Sequence, residues 1–410
     1  MFLSDLYIRT EHSGLATHIL WNFLREKPEH AGAWHCLGIA YRKENKFDQA
    51  QQAWEKAVEL GGDGVEVCSN MAGIYSDRAM PQEAMRWLDR ALKIDPQNHH
   101  ALWSKALALL TMKQWDEGWR LYASRYKIET WDGRKGVEAP IWDGSPVGHL
   151  YIHGEQGIGD EVMFASCLPF VRAGKVTLEV NARVVGIMRQ TFPDFEVVAR
   201  EAPGKYDAKM PIGSLPGMFG FNPKPYLKPN PERIAFYRAE LQKLGPGPYI
   251  AVAWSGGSKA TRALDRSLSL SQLQPILDRF TCISAQYSHI EPRFAKIIQQ
   301  EREQCGLLEI TPESTGADIH EQAALFSAVD AVVTVQQTAV HVAGSVGAKC
   351  HAMISECPHW RYGTEGDSMP WYSSVKLHRK RGDWAAVIQE TLRDLDADFR
   401  SLPRAEQRAA

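Results

Sequence analysis

The chain has 410 residues and a formal net charge of −2, a length that accommodates two to four domains. The absence of a basic excess argues against nucleic acid as a partner, and no apolar run reaches the ~18 residues of a membrane span. Hydrophobic residues make up 44% of the chain, which excludes a disordered protein. The N-terminus lacks the basic and apolar segments of a secretory signal, so we expect a cytoplasmic protein. The seven cysteines are scattered, without a Cys-x-x-Cys pair, and are expected to be reduced thiols.

A 34-residue period fills the first third of the chain. Ala50 recurs one period later as Ala84 and two periods later as Gly118, and it maps backwards onto Ala16. The pattern Trp-x-x-Leu-Gly-x-x-Tyr beginning at Trp34, at this period, resembles the tetratricopeptide repeat. We therefore predict three repeats after a partial one, stacked as an all-α solenoid over residues 1–130. Its concave groove is interpreted as a protein- or peptide-binding site. The alternatives are a structural spacer and a dimerisation surface.

The pattern changes after residue 130. A turn-rich connector, residues 130–148, is followed by alternating strands and helices, which predict an α/β unit with a parallel sheet. The predicted strands here are 150–152, 176–180, 196–199 and 206–210, with a helix over 184–192. A proline-rich segment, 222–231, then leads into a helix over 232–244. We place this N-terminal Rossmann-like domain, with its connector, at residues 131–230.

A second alternating unit is predicted over residues 231–410. Its strand at 249–254 is almost continuously apolar, as expected for a buried parallel strand. The order of elements indicates another doubly wound sheet, whose ligands bind at the carboxyl ends of the strands. Further strands are predicted at 280–284, 331–335 and 349–354, and helices at 273–279, 319–327, 339–346 and 385–395.

Three strand-to-helix or strand-to-loop junctions could carry chemistry. In the first, glycines at 154, 157 and 159 precede a helix whose start contains Asp160. A helix N-terminus favours a negative group, so Asp160 is either a helix cap or a base at the mouth of a cleft. The second junction, 254–266, combines glycines with Lys259, Arg262 and Arg266. The third, 336–341, starts a helix that contains His341 in its first turn. A basic loop beside a helix N-terminus is suited to a diphosphate.

Each of these features also has a purely structural interpretation. A single glycine-rich loop is often only a turn, a lone histidine in a helix is often structural, and Lys259 and Arg262 could lie in a solvated loop. Neither a dinucleotide fingerprint nor a P-loop occurs, and no His-Glu-x-x-His or acidic cluster predicts a metal site.

The segment Gly-Glu-Gln-Gly-Ile-Gly-Asp-Glu-Val-Met-Phe at 154–164 resembles the opening loop of heptosyltransferase-like glycosyltransferases fused to tetratricopeptide repeats. Later segments that match are 252–256 with 266–267, 333–344, and 360–362 with 369–372. The resemblance implies a GT-B fold of two Rossmann-like domains, and transfer without a metal or any cofactor besides the nucleotide-sugar donor.

The resemblance also implies roles for individual residues. Asp160 matches the proposed general base. Acceptor-side positions are Glu155, Gln156, Gly157 and Gly159. Positions assigned to nucleotide-sugar binding are Trp254, Ser255, Gly256, Lys259, Arg266, Gln286, Gln336, Gln337, Thr338 and His341. Gln336 and Gln337 replace the Asp-Thr of the heptosyltransferases, so the base or sugar of the donor is expected to differ.

The sequence thus predicts a bacterial glycosyltransferase that modifies a hydroxyl of a protein acceptor recruited by the repeats. One alternative acceptor is a lipid-linked or polysaccharide glycan. Another alternative is a catalytically inactive adaptor that binds nucleotide in its cleft. A homodimer is compatible with exposed tryptophans or a solenoid end.

Overall fold

The computed structural model describes residues 13–44, 46–62, 64–128, 137–199, 204–256, 263–288, 292–316 and 318–400. The chain divides into two compact units, residues 1–131 with 359–364 and residues 132–358 with 365–410. Within the described ranges, no helix has the length and apolar character needed to cross a membrane. None of the seven cysteines is joined to another in a disulfide.

The first unit consists of helices that repeat with the predicted period. They are α1 Ser13–Glu26, α2 Ala31–Lys43, α3 Phe47–Glu59, α4 Val65–Asp77, α5 Pro81–Ile94, α6 His99–Thr111 and α7 Trp115–Tyr122. The first helices of successive pairs start at residues 31, 65 and 99, which are 34 apart, and the second helices start at 47, 81 and 115. Helix α1 starts one period before α3 and so supplies half of a preceding repeat.

The repeat motif packs as its residue types require. Trp54 of α3 is fully buried, and its indole N–H donates to the carbonyl of His35 at 2.9 Å. Gly38 of α2 faces this ring so closely that a Cβ there would lie 2.3 Å from Trp54 Nε1. Arg42 then joins neighbouring repeats, donating to Asp77 Oδ2 from Nε at 3.0 Å and from Nη2 at 2.8 Å. The motif therefore has glycine at this position because the indole ring leaves no room for a side chain.

The last repeat is covered by a segment from much later in the chain. Trp360 packs edge-on against Trp119, with ring centroids 5.7 Å apart, and lies 6.2 Å from the ring of Tyr122. Arg125, at a position that is alanine in the earlier repeats, is fully buried and stacks on Tyr122 at 4.2 Å. The residue types of the third repeat therefore differ from those of the earlier copies where the repeat packs against Trp360 and not against a following repeat.

The second unit contains two separate sheets. The first is entirely parallel, in the order β3-β2-β1-β4. Its strands are β1 His149–His153, β2 Lys175–Val180, β3 Glu196–Ala199 and β4 Ala208–Pro211. The helices in this half are α8 Ile158–Phe164, α9 Val185–Thr191 and α10 Leu215–Phe219.

The second sheet has six strands in the order β6-β5-β7-β8-β10-β9, and only the β10–β9 pair is antiparallel. Its strands are β5 Tyr249–Ala253, β6 Thr281–Ser284, β7 Ala331–Val335, β8 Cys350–Ile354, β9 Ser368–Met369 and β10 Tyr372–Arg379. The helices are α11 Pro231–Lys243, α12 Ala263–Arg266, α13 Gln274–Leu277, α14 Pro292–Cys305, α15 Ile319–Ala328, α16 Thr338–Val346 and α17 Trp384–Asp398. The predicted fold class is confirmed in that helical repeats are followed by α/β structure with two mostly parallel sheets.

Candidate functional site

The loop after β1 leads directly into α8. Gln156 turns the chain with a φ of 60°, and Gly157 precedes the first residue of the helix. The fully buried Glu161 anchors this helix to the end of β2, because its Oε2 accepts the backbone N–H of Asn181 at 2.8 Å. Glu155 is also buried, against Gly213. Two acidic side chains of this motif therefore hold the loop in place.

Asp160 occupies the third position of α8. Its Oδ2 accepts the backbone N–H of Gly157 at 3.2 Å, so the carboxylate caps the helix. A carboxylate in the first turn is also stabilised by the helix dipole. The structure therefore supports the capping interpretation directly, and a catalytic role for the same group stays a prediction.

The loop after β5 is organised by a buried glutamine. Gln286 Oε1 accepts the backbone N–H groups of Trp254 and Ser255, at 2.9 and 2.8 Å, and its Nε2 donates to the Ser255 carbonyl at 2.9 Å. The Trp254 indole is fully buried and donates to Glu301 Oε2 at 2.6 Å. The side chains of Gln286 and Trp254, which were predicted to bind nucleotide, thus bond to protein groups and stabilise the loop. Any effect on a nucleotide would act through the position of the loop.

The ends of β5 and β7 lie side by side. A Cβ on Gly256 would stand 2.7 Å from Gln337 Cβ and 3.4 Å from the Gln336 carbonyl, so glycine allows the two junctions to meet. Gln337 precedes α16 in extended conformation, with φ −153° and ψ −174°. Its side chain donates to Thr334 Oγ1 at 3.1 Å and leaves the helix start uncapped. Within the part of the chain that the structure describes, the Gln337 side chain leaves the N–H groups in the first turn of α16, from Thr338 onward, free to face an anion.

Gln336 is directed into the protein. It is fully buried, and its Nε2 donates to Ser355 Oγ, which joins the end of β7 to the end of β8. Within the described residues, its Oε1 has no hydrogen-bond partner. The Gln336 side chain therefore contributes chiefly to the shape of the junction.

The first and third junctions meet across the two α/β halves. A Cβ on Gly159 would lie 2.9 Å from His341 Cδ2 and 3.4 Å from Thr338 Cα, so α8 and α16 touch at their first turns. His341 is 4% exposed and has Tyr372 on another side, with its Nδ1 3.4 Å from the tyrosine hydroxyl. The structure therefore places Gly159, the neighbour of Asp160 in sequence, beside the start of α16.

This contact gives the first prediction. Replacing Gly159 by serine should lower the free energy of unfolding by about 1–3 kcal/mol, because the added atoms overpack the α8–α16 contact. Urea unfolding of the full chain measures the effect. Gly64→Ser is the matched control, since a Cβ at Gly64 meets no atom within 4 Å. Equal stability of the two variants would contradict the tight contact.

Three basic residues are predicted for the second junction, and the structure describes one of them. Lys259 lies outside the described residues, as does Arg262. Arg266 ends the short helix α12 and is 7% exposed. Its neighbour Ser267 accepts the Gly256 backbone N–H at 3.2 Å, so the segment returns to the end of β5.

A polar cluster that the sequence did not reveal lies under α17. One ligand-type atom from each of His351, His378 and Asp394 lies within 4.8 Å of the others. Burial lowers the pKa of His351 to about 4 and that of His378 to about 4. The residues come from β8, β10 and α17, so no short sequence spacing marks them.

Comparison with known families identifies the helices of the first unit. Models of the tetratricopeptide repeat match residues 31–63 and 65–98. These segments are tetratricopeptide repeats. The helix pair that starts at His99 continues the same period beyond the matched residues. The repeats predicted from the sequence are thereby confirmed, whereas the heptosyltransferase-like assignment of the remainder stays a prediction.

Two curated proteins show sequence similarity. Protein FlbA of Caulobacter vibrioides is 28% identical over 425 residues, covering 93% of this chain and 70% of FlbA. Anaphase-promoting complex subunit 3 of Schizosaccharomyces pombe is 28% identical over 94 residues, 23% of this chain and 14% of the subunit. The similarity to FlbA therefore spans both units, and that to the yeast protein is limited to a short segment.

Similar solved structures fall into two kinds. YrrB, described as a tetratricopeptide-repeat protein with an unusual peptide-binding site, covers 30% of this chain, with 18% identity and a TM-score of 0.27; this chain spans 62% of it. An O-GlcNAc transferase from Thermobaculum terrenum covers 97% of this chain, which spans 91% of it, with 13% identity and a TM-score of 0.35.

Proposed function

We propose that this chain is a glycosyltransferase that moves a sugar from a nucleotide-sugar donor to a hydroxyl of a protein acceptor. The observation that carries the proposal is the contact of Gly159 with Thr338 and His341. It brings the turn of α8 that bears Asp160 to the N-terminus of α16. An acidic residue and a helix start suited to an anion are then neighbours, as transfer from a sugar diphosphate requires.

In the proposed reaction, Asp160 takes the proton of the acceptor hydroxyl as the oxygen attacks the anomeric carbon. The bond from that carbon to the diphosphate breaks, and the diphosphate leaves with the bonding electrons. The first N–H groups of α16 and the Gly256 loop face the leaving group and stabilise its charge. This chemistry needs neither a metal nor a further cofactor.

The acceptor is proposed to be a protein held by the tetratricopeptide repeats. Stacked repeats expose a concave surface that suits an extended segment. On the described repeats, polar groups of adjacent copies meet, with Asn70 Nδ2 2.9 Å from His35 Nε2. We also propose a cytoplasmic location, where nucleotide sugars and reduced thiols coexist.

Nucleotide binding tests the proposal. Thermal shift of the full chain against UDP-, GDP-, ADP- and CMP-sugars should reveal one nucleotide that raises the melting temperature. A ligand at about 100 times its Kd adds ~2.7 kcal/mol to the stability of the folded state. No shift with any nucleotide would contradict the donor site and favour the inactive adaptor.

A matched pair of variants locates that binding. Thr338→Asp adds a carboxylate to the first turn of α16, where it stabilises the helix yet repels a phosphate. We expect it to weaken nucleotide binding more than about tenfold, because like charges at ~4 Å repel by ~4 kcal/mol at an effective dielectric of 20. The uncharged Thr338→Asn should keep most of the affinity. Titration calorimetry measures both, and equal affinities would place the diphosphate elsewhere.

A further inference from the structure

Two buried histidines face each other on neighbouring strands of the second sheet. In the register of β8 and β10, His351 pairs with Lys376, and His378 pairs with Met353. Both imidazoles lie on the face of the sheet that α17 covers, and they are 2% and 0% exposed. His351 Nδ1 is 3.0 Å from His378 Nε2. The histidines are therefore paired through one nitrogen each.

The outer nitrogens of the pair face carboxylates. His351 Nε2 lies 3.1 Å from Asp398 Oδ2. His378 Nδ1 lies 3.4 Å from Glu390 Oε1 and 3.8 Å from Asp394 Oδ2. A carboxylate oxygen only accepts, so each outer nitrogen is matched to its surroundings when it carries the proton.

The inner nitrogens of the two rings are close enough to share an ion. When each ring carries its proton on the outer nitrogen, the lone pairs of His351 Nδ1 and His378 Nε2 face each other across 3.0 Å, as in two imidazoles that bind one metal ion.

The spacing suits a metal ion. Two nitrogens bound at ~2.1 Å to one ion lie about 3.0–3.4 Å apart for bond angles between about 90° and 109°. Histidines that bind a metal through one ring nitrogen commonly donate the N–H of the other nitrogen to a carboxylate, which fixes the orientation of the ring. Asp398 provides this for His351, and Glu390 provides it for His378.

A carboxylate and an entry route complete the cluster. A donor atom of Asp394 lies within 4.8 Å of those of both histidines. Its Oδ2 also forms an ion pair with Lys376 Nζ at 2.7 Å, a cation that can turn to solvent when a metal ion is bound. A cavity of about 510 Å³ borders the cluster, lined in part by His351, Asp394 and Asp398. Ions and water therefore have access to it.

We propose that His351, His378 and Asp394 bind a divalent transition-metal ion of the zinc type. Imidazole nitrogens with a carboxylate oxygen are the donors that Zn²⁺ prefers over Ca²⁺ and Mg²⁺. The ion ties β8, β10 and α17 together. His351 is the second residue of β8, whereas α16 begins after the carboxyl end of β7. The metal is thus structural and takes no part in the proposed sugar transfer.

Zinc titration of the full chain tests this site. After treatment with EDTA and dialysis, the chain should bind one equivalent of Zn²⁺ in competition with a chromophoric chelator, and its melting temperature should rise. His378→Gln and Asp394→Asn should each weaken binding at least about tenfold, and Asp398→Asn about 10–100-fold through the lost orientation of His351. His100→Gln, at an exposed histidine of α6, should bind as the wild type does.

Three outcomes would overturn the proposal. A wild type that binds no zinc contains only a hydrogen-bonded pair of histidines at this position. Zinc uptake that is equal in the wild type and in correctly folded His378→Gln and Asp394→Asn variants places the ion elsewhere. A thiolate-to-metal absorption band in the Co²⁺-loaded chain would do the same, because the proposed donors include no cysteine.

Discussion

Asp160→Asn is expected to reduce sugar transfer by about 10²–10⁴-fold, the contribution of a positioned general base. The amide cannot accept the proton of the acceptor hydroxyl. Its oxygen can still accept the Gly157 N–H that Asp160 Oδ2 accepts at 3.2 Å, so α8 keeps its cap. Nucleotide affinity and thermal stability should therefore stay close to those of the wild type. The rate is measured as release of nucleotide diphosphate in the presence of acceptor.

Asp194→Asn controls for the loss of one carboxylate, because Asp194 is exposed and lies in a turn of the same α/β half. It should transfer sugar at the wild-type rate. Wild-type activity in Asp160→Asn would refute the role of Asp160 as base and leave it as a helix cap only.

Trp54→Ala is expected to cost about 3–5 kcal/mol, the range for removal of a buried aromatic side chain. Trp54 is fully buried, and Gly38 leaves no side chain that could fill the vacated volume. The hydrogen bond to the His35 carbonyl at 2.9 Å is lost as well. Urea unfolding followed by helical circular dichroism measures the loss, and acceptor binding should fall with it.

Trp21→Ala is the matched control, since the Trp21 side chain is 40% exposed. Its loss should cost much less than that of Trp54, because less apolar surface returns to water. A similar cost for both variants would contradict the central position of Trp54 in the repeat core.

The repeats were readable from sequence because their packing is local and periodic. Trp54, Leu88 and Tyr122 are 34 residues apart and each is buried. Because a large side chain recurs beside a small one in each copy, the sequence predicts the contact between the two helices of a repeat. The segment that covers the last repeat was not predicted, because Trp360 lies more than two hundred residues away in sequence.

The strands and helices of the second unit were also largely predictable. Buried parallel strands such as Ala331–Val335 are continuous apolar runs, and the structure gives the same bounds. Helix Pro292–Cys305 and strand Tyr372–Arg379 were missed. The strand contains lysine, histidine and arginine, so its pattern is not that of a buried strand. Lys376 forms an ion pair with Asp394 of α17, and His378 Nδ1 lies 3.4 Å from Glu390 Oε1 of the same helix.

At the candidate site, the positions of the junctions could be predicted from the sequence, but the directions in which individual side chains point could not. It placed Asp160, Gly256 and Thr338 at the ends of strands, where the structure has them. It assigned Trp254 and Gln286 to ligand binding, although both side chains have protein partners. The histidine pair escaped detection because it depends on strand register and on α17, neither of which a short motif encodes.

The most direct measurement is the position of a nucleotide diphosphate bound to the crystallised full chain. We expect the diphosphate oxygens within about 3 Å of the backbone N–H groups in the first turn of α16, with the sugar side facing Asp160. A nucleotide bound away from Thr338, or with its sugar remote from α8, would contradict the proposed glycosyltransferase site.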